Sequence, residues 1–388
     1  MKNGWQRKQI GALCEVIAGQ SPEGKFYNSQ GKGMPFYQGK KDFGEKFIQE
    51  PKAWTTQVTK IARNGDILMS VRAPVGPINF STDEICIGRG LAAIRTKVEL
   101  NRDFLFYQLL HLQPEIAGKE GAVFASINKS EIESLPIAFV PLPEQERIVR
   151  ILGEAFEGIA TAKANAEKNL QNARALFESH LNAIFELAWS SCELVPLSEL
   201  ATDITDGDHL PPPKSQTGIP FITIGNIHKE TRKIDFADTF MVPRKYYDAL
   251  KMNRRPQKGD VLYTVTGSFG IPVMVQDEFK FCFQRHIALV RPKQETKTEW
   301  LYYLLLSPQL FEQASDRATG TAQKTVSLRV LRTLSVPRVP PSQQRSTVSV
   351  LNALSTETRR LESIYQQKLA ALEELKKSLL HEAFSGRL

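Results

Sequence analysis

The sequence predicts an α+β chain: two similar α/β domains separated by two long helices that form an antiparallel coiled-coil spacer, with a pseudo-two-fold internal repeat. Three observations predict it. The 388 residues exceed what one core usually takes, one order of short motifs occurs twice, and two stretches carry an unbroken helical stripe.

The repeat is the strongest of the three. Asn64-Gly65-Asp66-Ile67-Leu68-Met69-Ser70-Val71 matches Lys258-Gly259-Asp260-Val261-Leu262-Tyr263-Thr264-Val265, an offset of 194. Cys86-Ile87-Gly88-Arg89 and Ala92-Ala93-Ile94-Arg95 match Cys282-Phe283-Gln284-Arg285 and Ala288-Leu289-Val290-Arg291 at 196. Pro141-Leu142-Pro143-Glu144-Gln145 matches Pro340-Pro341-Ser342-Gln343-Gln344 at 199, with the arginines Arg147 and Arg345 one residue closer. A period this long is a whole domain with a long segment attached, not a solenoid unit.

The elements divide the chain at 1–142, 143–189, 190–340 and 341–388. In each domain, β-branched runs opened by a Gly-Asp turn (Asp66–Val71, Asp260–Val265) read as strands. Ile85–Ile87 and Phe279–Phe283 read as further strands, Phe104–Leu112 and Trp300–Leu306 as short helices. From 144 to 188 there is no proline. Apolar residues recur there at Ile148, Leu152, Ala155, Ile159, Ala162, Ala166, Leu170, Ala173, Phe177, Leu181, Ile184 and Ala188, in steps of three and four. Pro143 suits a first helical turn. The second stripe, Leu351, Leu354, Thr358, Leu361, Tyr365, Lys368, Leu372, Leu375 and Leu379, reads as heptads, and Gly386 ends it. A helix of this length, roughly 65 Å at 1.5 Å per residue, needs a partner for its stripe, and the other long helix is the nearest one, the alternatives being its own domain or a second copy of the chain.

Composition narrows the function. The net charge of +8 permits a polyanionic partner. Residues 1–142 carry 18 basic and 14 acidic side chains, and residues 190–340 carry 20 and 16, so each domain is +4. No run of 18 apolar residues exists to span a membrane, and the N-terminus lacks the apolar core of a signal peptide. Cys14, Cys86, Cys192 and Cys282 lie far apart, without zinc or disulfide-scaffold spacing, which points to a reducing cytoplasm.

Leu142-Pro143-Glu144-Gln145-Glu146-Arg147-Ile148 resembles the signature that comes after each target-recognition domain in the specificity subunits of Type I restriction–modification systems. Ser378–Leu388 resembles that family's C-terminal helix ending, and Gly320–Val326 the loop before its last strand. The second signature departs at Ser342-Gln343, and Gly121–Ile127 is a looser loop match. The resemblance covers the whole chain. It implies that each domain reads one half of a split double-stranded DNA sequence and that the helices set the gap and dock two modification subunits. Those partners would bind S-adenosylmethionine and methylate adenine, restriction subunits would join them, and this chain would hold no cofactor and be no enzyme.

The residues agree with a non-catalytic reading. Pro211-Pro212-Pro213 and Pro340-Pro341 neither follow Asn or Asp nor precede an aromatic, as an adenine methyltransferase loop needs. No Gly-rich cofactor loop or phosphate loop occurs. The six histidines have no metal spacing. A nuclease with Asp260, Glu278 and Lys280 as its carboxylate-and-lysine set, a methyltransferase with its own active site, and a coiled-coil adaptor that binds protein are the alternatives.

DNA contact needs cations for phosphate and forked side chains for bases. Loop positions of those types in the first domain are Gln20, Gln38, Lys40, Lys41, Arg72, Arg89, Asn128 and Lys129. In the second they are His209, Asn226, Arg254, Arg255, Ser268, Gln284, Arg285, Gln323 and Lys324. Arg89 and Arg285 are equivalent by the repeat, which suits a phosphate contact or structural ion pair; Gln38 and Asn226 differ between copies, which suits specificity.

Overall fold

The computed structural model describes residues 4–117, 126–207, 209, 211–321 and 323–388. Most of the loop Gly121–Ile127 therefore lies outside the described residues. The chain forms two compact units, Met1–Glu167 with Gln366–Leu388, and Lys168–Tyr365.

In the first unit, Cys14–Ala18, Leu91–Thr96, Ile67–Ser70 and Ile78–Phe80 form, in that order, an antiparallel sheet. All four residues of Ile67–Ser70 are buried, so the strand reads as a continuous apolar run rather than an alternating one. Its opening turn needs Gly65, whose φ of +85° an L side chain rarely adopts. A second sheet pairs Met34–Tyr37 in parallel with Ile85–Ile87. The helix Arg102–Ile116, capped by the Asn101 side chain, lays Phe104, Leu105 and Leu109 into the core.

The second unit repeats this frame. Ala201–Asp206, Ile287–Pro292, Val261–Thr264 and Pro272–Met274 form the same four-stranded order. The register recurs as well: Leu91 faces Ser70 in one copy, Ile287 faces Thr264 in the other. Ile219–Ile222 pairs in parallel with Cys282–Phe283. The expected strand Phe279–Phe283 is thus only its last two residues, because 276–280 are exposed and Phe279 packs edge-on against Phe236. The helix Thr298–Leu306 buries Trp300, Leu301, Leu304 and Leu305, side chains worth about 1.5–3 kcal/mol each in transfer free energy.

The long helices are Leu142–Ser191, 50 residues, and Pro341–Phe384, 44 residues. In the first unit their segments run antiparallel: Arg147 donates to the Leu388 carbonyl at 2.8 Å, and Lys163 pairs with Glu373 at 2.7 Å. Ile148, Leu152, Leu380 and Ala383 join that unit's core. In the second unit Arg174 pairs with Glu362, and Leu181 and Phe185 share the core with Leu351. Every residue of the first expected stripe is buried or half-buried. The second stripe drifts. Lys368 and Leu375 are exposed, while Leu369 and Lys376 are half-buried. A straight helix has 3.6 residues per turn and gains about 20° per heptad on a 3.5 repeat, so the seam slips by one residue.

The paired motif at the head of each long helix has a structural role. Gln145 is wholly buried; its Oε1 accepts from the Asn101 N–H at 2.7 Å, and its Nε2 donates to the Glu99 and Val140 carbonyls. Gln344 does the same with the Lys297 N–H and the Glu295 and Val339 carbonyls. Each amide pins the first helical turn to its own domain.

Candidate nucleic-acid interface

In the first unit, three loops meet at one end of the sheets. The Gln20 N–H donates to the Ile87 carbonyl, the Gly88 N–H to the Tyr37 carbonyl, and the Arg89 N–H to Ser21 Oγ. Glycine is required at two of these crossings. A Cβ on Gly19 would collide with the Gly88 carbonyl oxygen, and one on Gly90 with the Gln38 carbonyl oxygen. The backbones close on one another and the side chains of Gln20, Gln38, Lys40, Arg72 and Arg89 remain exposed.

Gln38, Lys40, Arg72 and Arg89 line one depression of about 210 Å³, with Ser70 at its floor. Three cations and no carboxylate border it. Among the described residues none of the three forms an ion pair, so their charge is open to a polyanion. Lys41 follows in the short 3-10 turn Lys40–Asp42. Arg72 also bridges Ser126, which brings the start of the Asn128 segment alongside. Asn128 itself is an N-cap: its Oδ1 accepts from the Glu131 N–H at 3.0 Å. Lys129 pairs with Glu133 at 3.6 Å.

The second unit places its candidates in three groups. Ser268, Gln323 and Lys324 are exposed where two loops join, through the Gly267 N–H to the Lys324 carbonyl and the Thr266–Thr325 bridge. Arg285 is exposed in the loop before Ile287–Pro292. Beside it, burial and the Arg285 charge hold His286 below the usual histidine range. His209 and Arg254 converge on Asp206, at 2.8 and 3.4 Å.

Three second-unit candidates have other work. Asn226 is buried; its Oδ1 accepts from the Thr223 N–H and hydroxyl, and its Nδ2 donates to the Asp238 carbonyl. That buried amide is engaged at both its oxygen and its nitrogen, which counts against its reading as a specificity residue. Arg255 donates to the Leu250 and Asp248 carbonyls over the Tyr247 ring. Gln284 accepts from the Ile224 N–H. Asp260, the first member of the nuclease-like set, is 2% exposed and bound by both prongs of Arg291 at 2.8 Å. Sequence reasoning missed Ser21, the crossing glycines and Asp206. Gly88-Arg89-Gly90, two glycines around the repeated arginine, was the signal available for the first rim.

A model of the Type I restriction modification DNA specificity domain matches this chain twice, over residues 2–170 and 195–373. The chain belongs to the Type I restriction–modification specificity-subunit family, with two specificity domains in tandem. Subunits of this kind are non-catalytic. The chain is 37% identical over 174 residues to the type I restriction enzyme MjaX specificity subunit of Methanocaldococcus jannaschii, a match covering 44% of this chain and 40% of that protein. It is 22% identical over 339 residues to the MjaVIII specificity subunit of the same organism, covering 79% and 76%. In fold it is similar to the HsdS subunit from Thermoanaerobacter tengcongensis, with a TM-score of 0.62 at 19% identity over 100% of this chain and 98% of that one. A chain from work on complex assembly and conformational transition of the type I R-M system gives a TM-score of 0.81 at 20% identity, covering 100% and 99%.

Proposed function

We propose that this chain reads a bipartite double-stranded DNA sequence, one half-site per domain, and carries two modification subunits and the restriction subunits to it. One observation carries the reading. The two domains share a backbone frame and one exposed arginine, Arg89 and Arg285, while the side chains around that arginine differ. Gly88 and Gly90 flank the first; Gln284 and His286 flank the second; Arg72 has Thr266 as its counterpart. A common cation suits phosphate, which every sequence presents, and differing neighbours suit different base edges.

In this reading S-adenosylmethionine binds the modification subunits and adenine is the methylated base. The complex works in the cytoplasm, where its DNA is; among the described residues no helix is long and apolar enough to cross a membrane. Native-genome sequencing for methylated adenine, with and without the gene, tests this. Loss of one two-part motif on deletion is the expected result. An unchanged methylation pattern in a host whose modification subunit co-purifies with this chain would overturn it.

A further inference from the structure

A cavity of about 350 Å³ opens in the second unit, away from the loops described above. Arg232, Arg359 and Tyr302 line it, and Lys233 and Asp277 border it as well. Among the described residues neither guanidinium has a carboxylate within ion-pairing distance. Phe236, Phe279 and Phe281 form the facing wall, with Phe236 edge-on to both others at 5.1 and 5.7 Å. Phe236 and Phe279 remain 37% and 53% exposed, an unusual state for neighbouring phenylalanines.

Backbone geometry marks the same place. Arg232 is the one non-glycine residue with positive φ, +50°, among the described residues. The turn it closes, with its N–H on the His228 carbonyl, would favour Gly or Asn there. An arginine held in a strained conformation and aimed into a cavity calls for a reason in what the cavity holds.

The first unit shows that the fold does not require the cavity. Phe80 and Phe106 stand at the repeat positions of Met274 and Tyr302 and stack at 4.5 Å. Lys46 lies 5.6 Å from the Phe80 ring and 5.9 Å from the Phe106 ring, and pairs with Asp103 at 3.0 Å. Ala160 occupies the repeat position of Arg359. One copy therefore closes this site with its own cation and aromatics, and the other leaves two arginines and an aromatic wall open.

We propose that this cavity binds a mononucleotide, its phosphate between Arg232 and Arg359 and its base on the phenylalanine wall. Paired guanidinium groups suit a phosphate dianion through charge-assisted hydrogen bonds. The volume falls in the range of small-ligand sites.

The test is isothermal titration of the full-length chain with adenosine 5′-monophosphate and, separately, with inorganic phosphate. Saturable binding of the nucleotide, with phosphate weaker, is expected. Arg359→Gln and Arg232→Gly should each weaken it about tenfold or more. Arg232→Gly should also keep or raise Tm, since glycine relieves the positive φ, so lost binding there cannot be misfolding. Duplex DNA affinity should be unchanged in both variants, which separates this site from the DNA-reading proposal. No saturable binding by the unmodified chain, equal affinity for phosphate alone, or binding indifferent to both substitutions would overturn the assignment.

Discussion

Arg95 grips Asp66 with both prongs of its guanidinium, Nε to Oδ1 at 3.0 Å and Nη2 to Oδ2 at 2.7 Å. The aspartate side chain is 4% exposed and also accepts the Arg63 N–H, so one carboxylate ties the turn before a central strand to the neighbouring strand. Arg291 and Asp260 repeat the arrangement, with the Gln257 N–H in the third place. The hydrogen bond to the aspartate is the chief reason each arginine holds its proton more tightly than usual.

Removing Arg95 leaves Asp66 charged and buried, whereas removing Asp66 leaves Arg95 partly exposed and still paired with Glu15. Arg95→Ala should therefore cost about 3 kcal/mol in urea unfolding, and Asp66→Ala with Arg95→Ala clearly less than the two single costs added. Additive costs would mean the pair is uncoupled.

Gln145→Ala strips partners from three main-chain groups at a buried helix start. A loss of about 3 kcal/mol is expected, together with faster amide exchange in the first turns of Leu142–Ser191. Gln344→Ala should act likewise on Pro341–Phe384, and wild-type exchange in either helix would contradict the pinning role.

Arg89→Ala and Arg285→Ala alter exposed side chains without ion pairs among the described residues, so stability should move by less than about 0.5 kcal/mol. Each should weaken DNA binding on every sequence and reduce the slope of log K against log salt by about one. An unchanged slope would remove that arginine from the phosphate contacts.

His111 is held below its ordinary value of 6.5, first by burial and then by the His381 charge, with Glu115 opposing. Its ring lies 5.8 Å from the rings of both Phe384 and His381. With the folded pKa below the unfolded one, the unfolded chain binds more protons in the window between them. The contribution is complete above pH 6.5 and is lost as pH falls through the folded value. Tm should therefore drop on acidification from pH 7, and His111→Phe should flatten that slope.

The second helical seam offers the fifth check. Leu369→Ala should cost about 1.5 kcal/mol and Lys368→Ala close to nothing, the reverse of what a strict heptad gives.

The repeat, the Gly-Asp strand openings and the first helical stripe were legible because each rests on residue type at fixed spacing. The slipped seam was not, since a small error per turn shows only after several turns. Asn128 and Asn226 show a different limit. Residue type names an amide that could read a base, but only geometry tells whether that amide already caps a turn. The first rim was half visible: its cations were recognisable, while the glycines that let Gln38, Arg72 and Arg89 approach one another acquire meaning only once the loops have crossed.

The buried glutamine at each helix head hydrogen-bonds main chain alone: one N–H and two carbonyls. A socket made of backbone is blind to the side chains of the body it holds. A domain with the same strand order and the same core side chains toward Ile148 and Leu152, but a different set of loops, would seat on it. Recombination between related genes upstream of the Gln145 codon should then yield chains that fold at once, and new DNA targets could arise by exchanging whole heads, with no need to pass through half-functional point mutants.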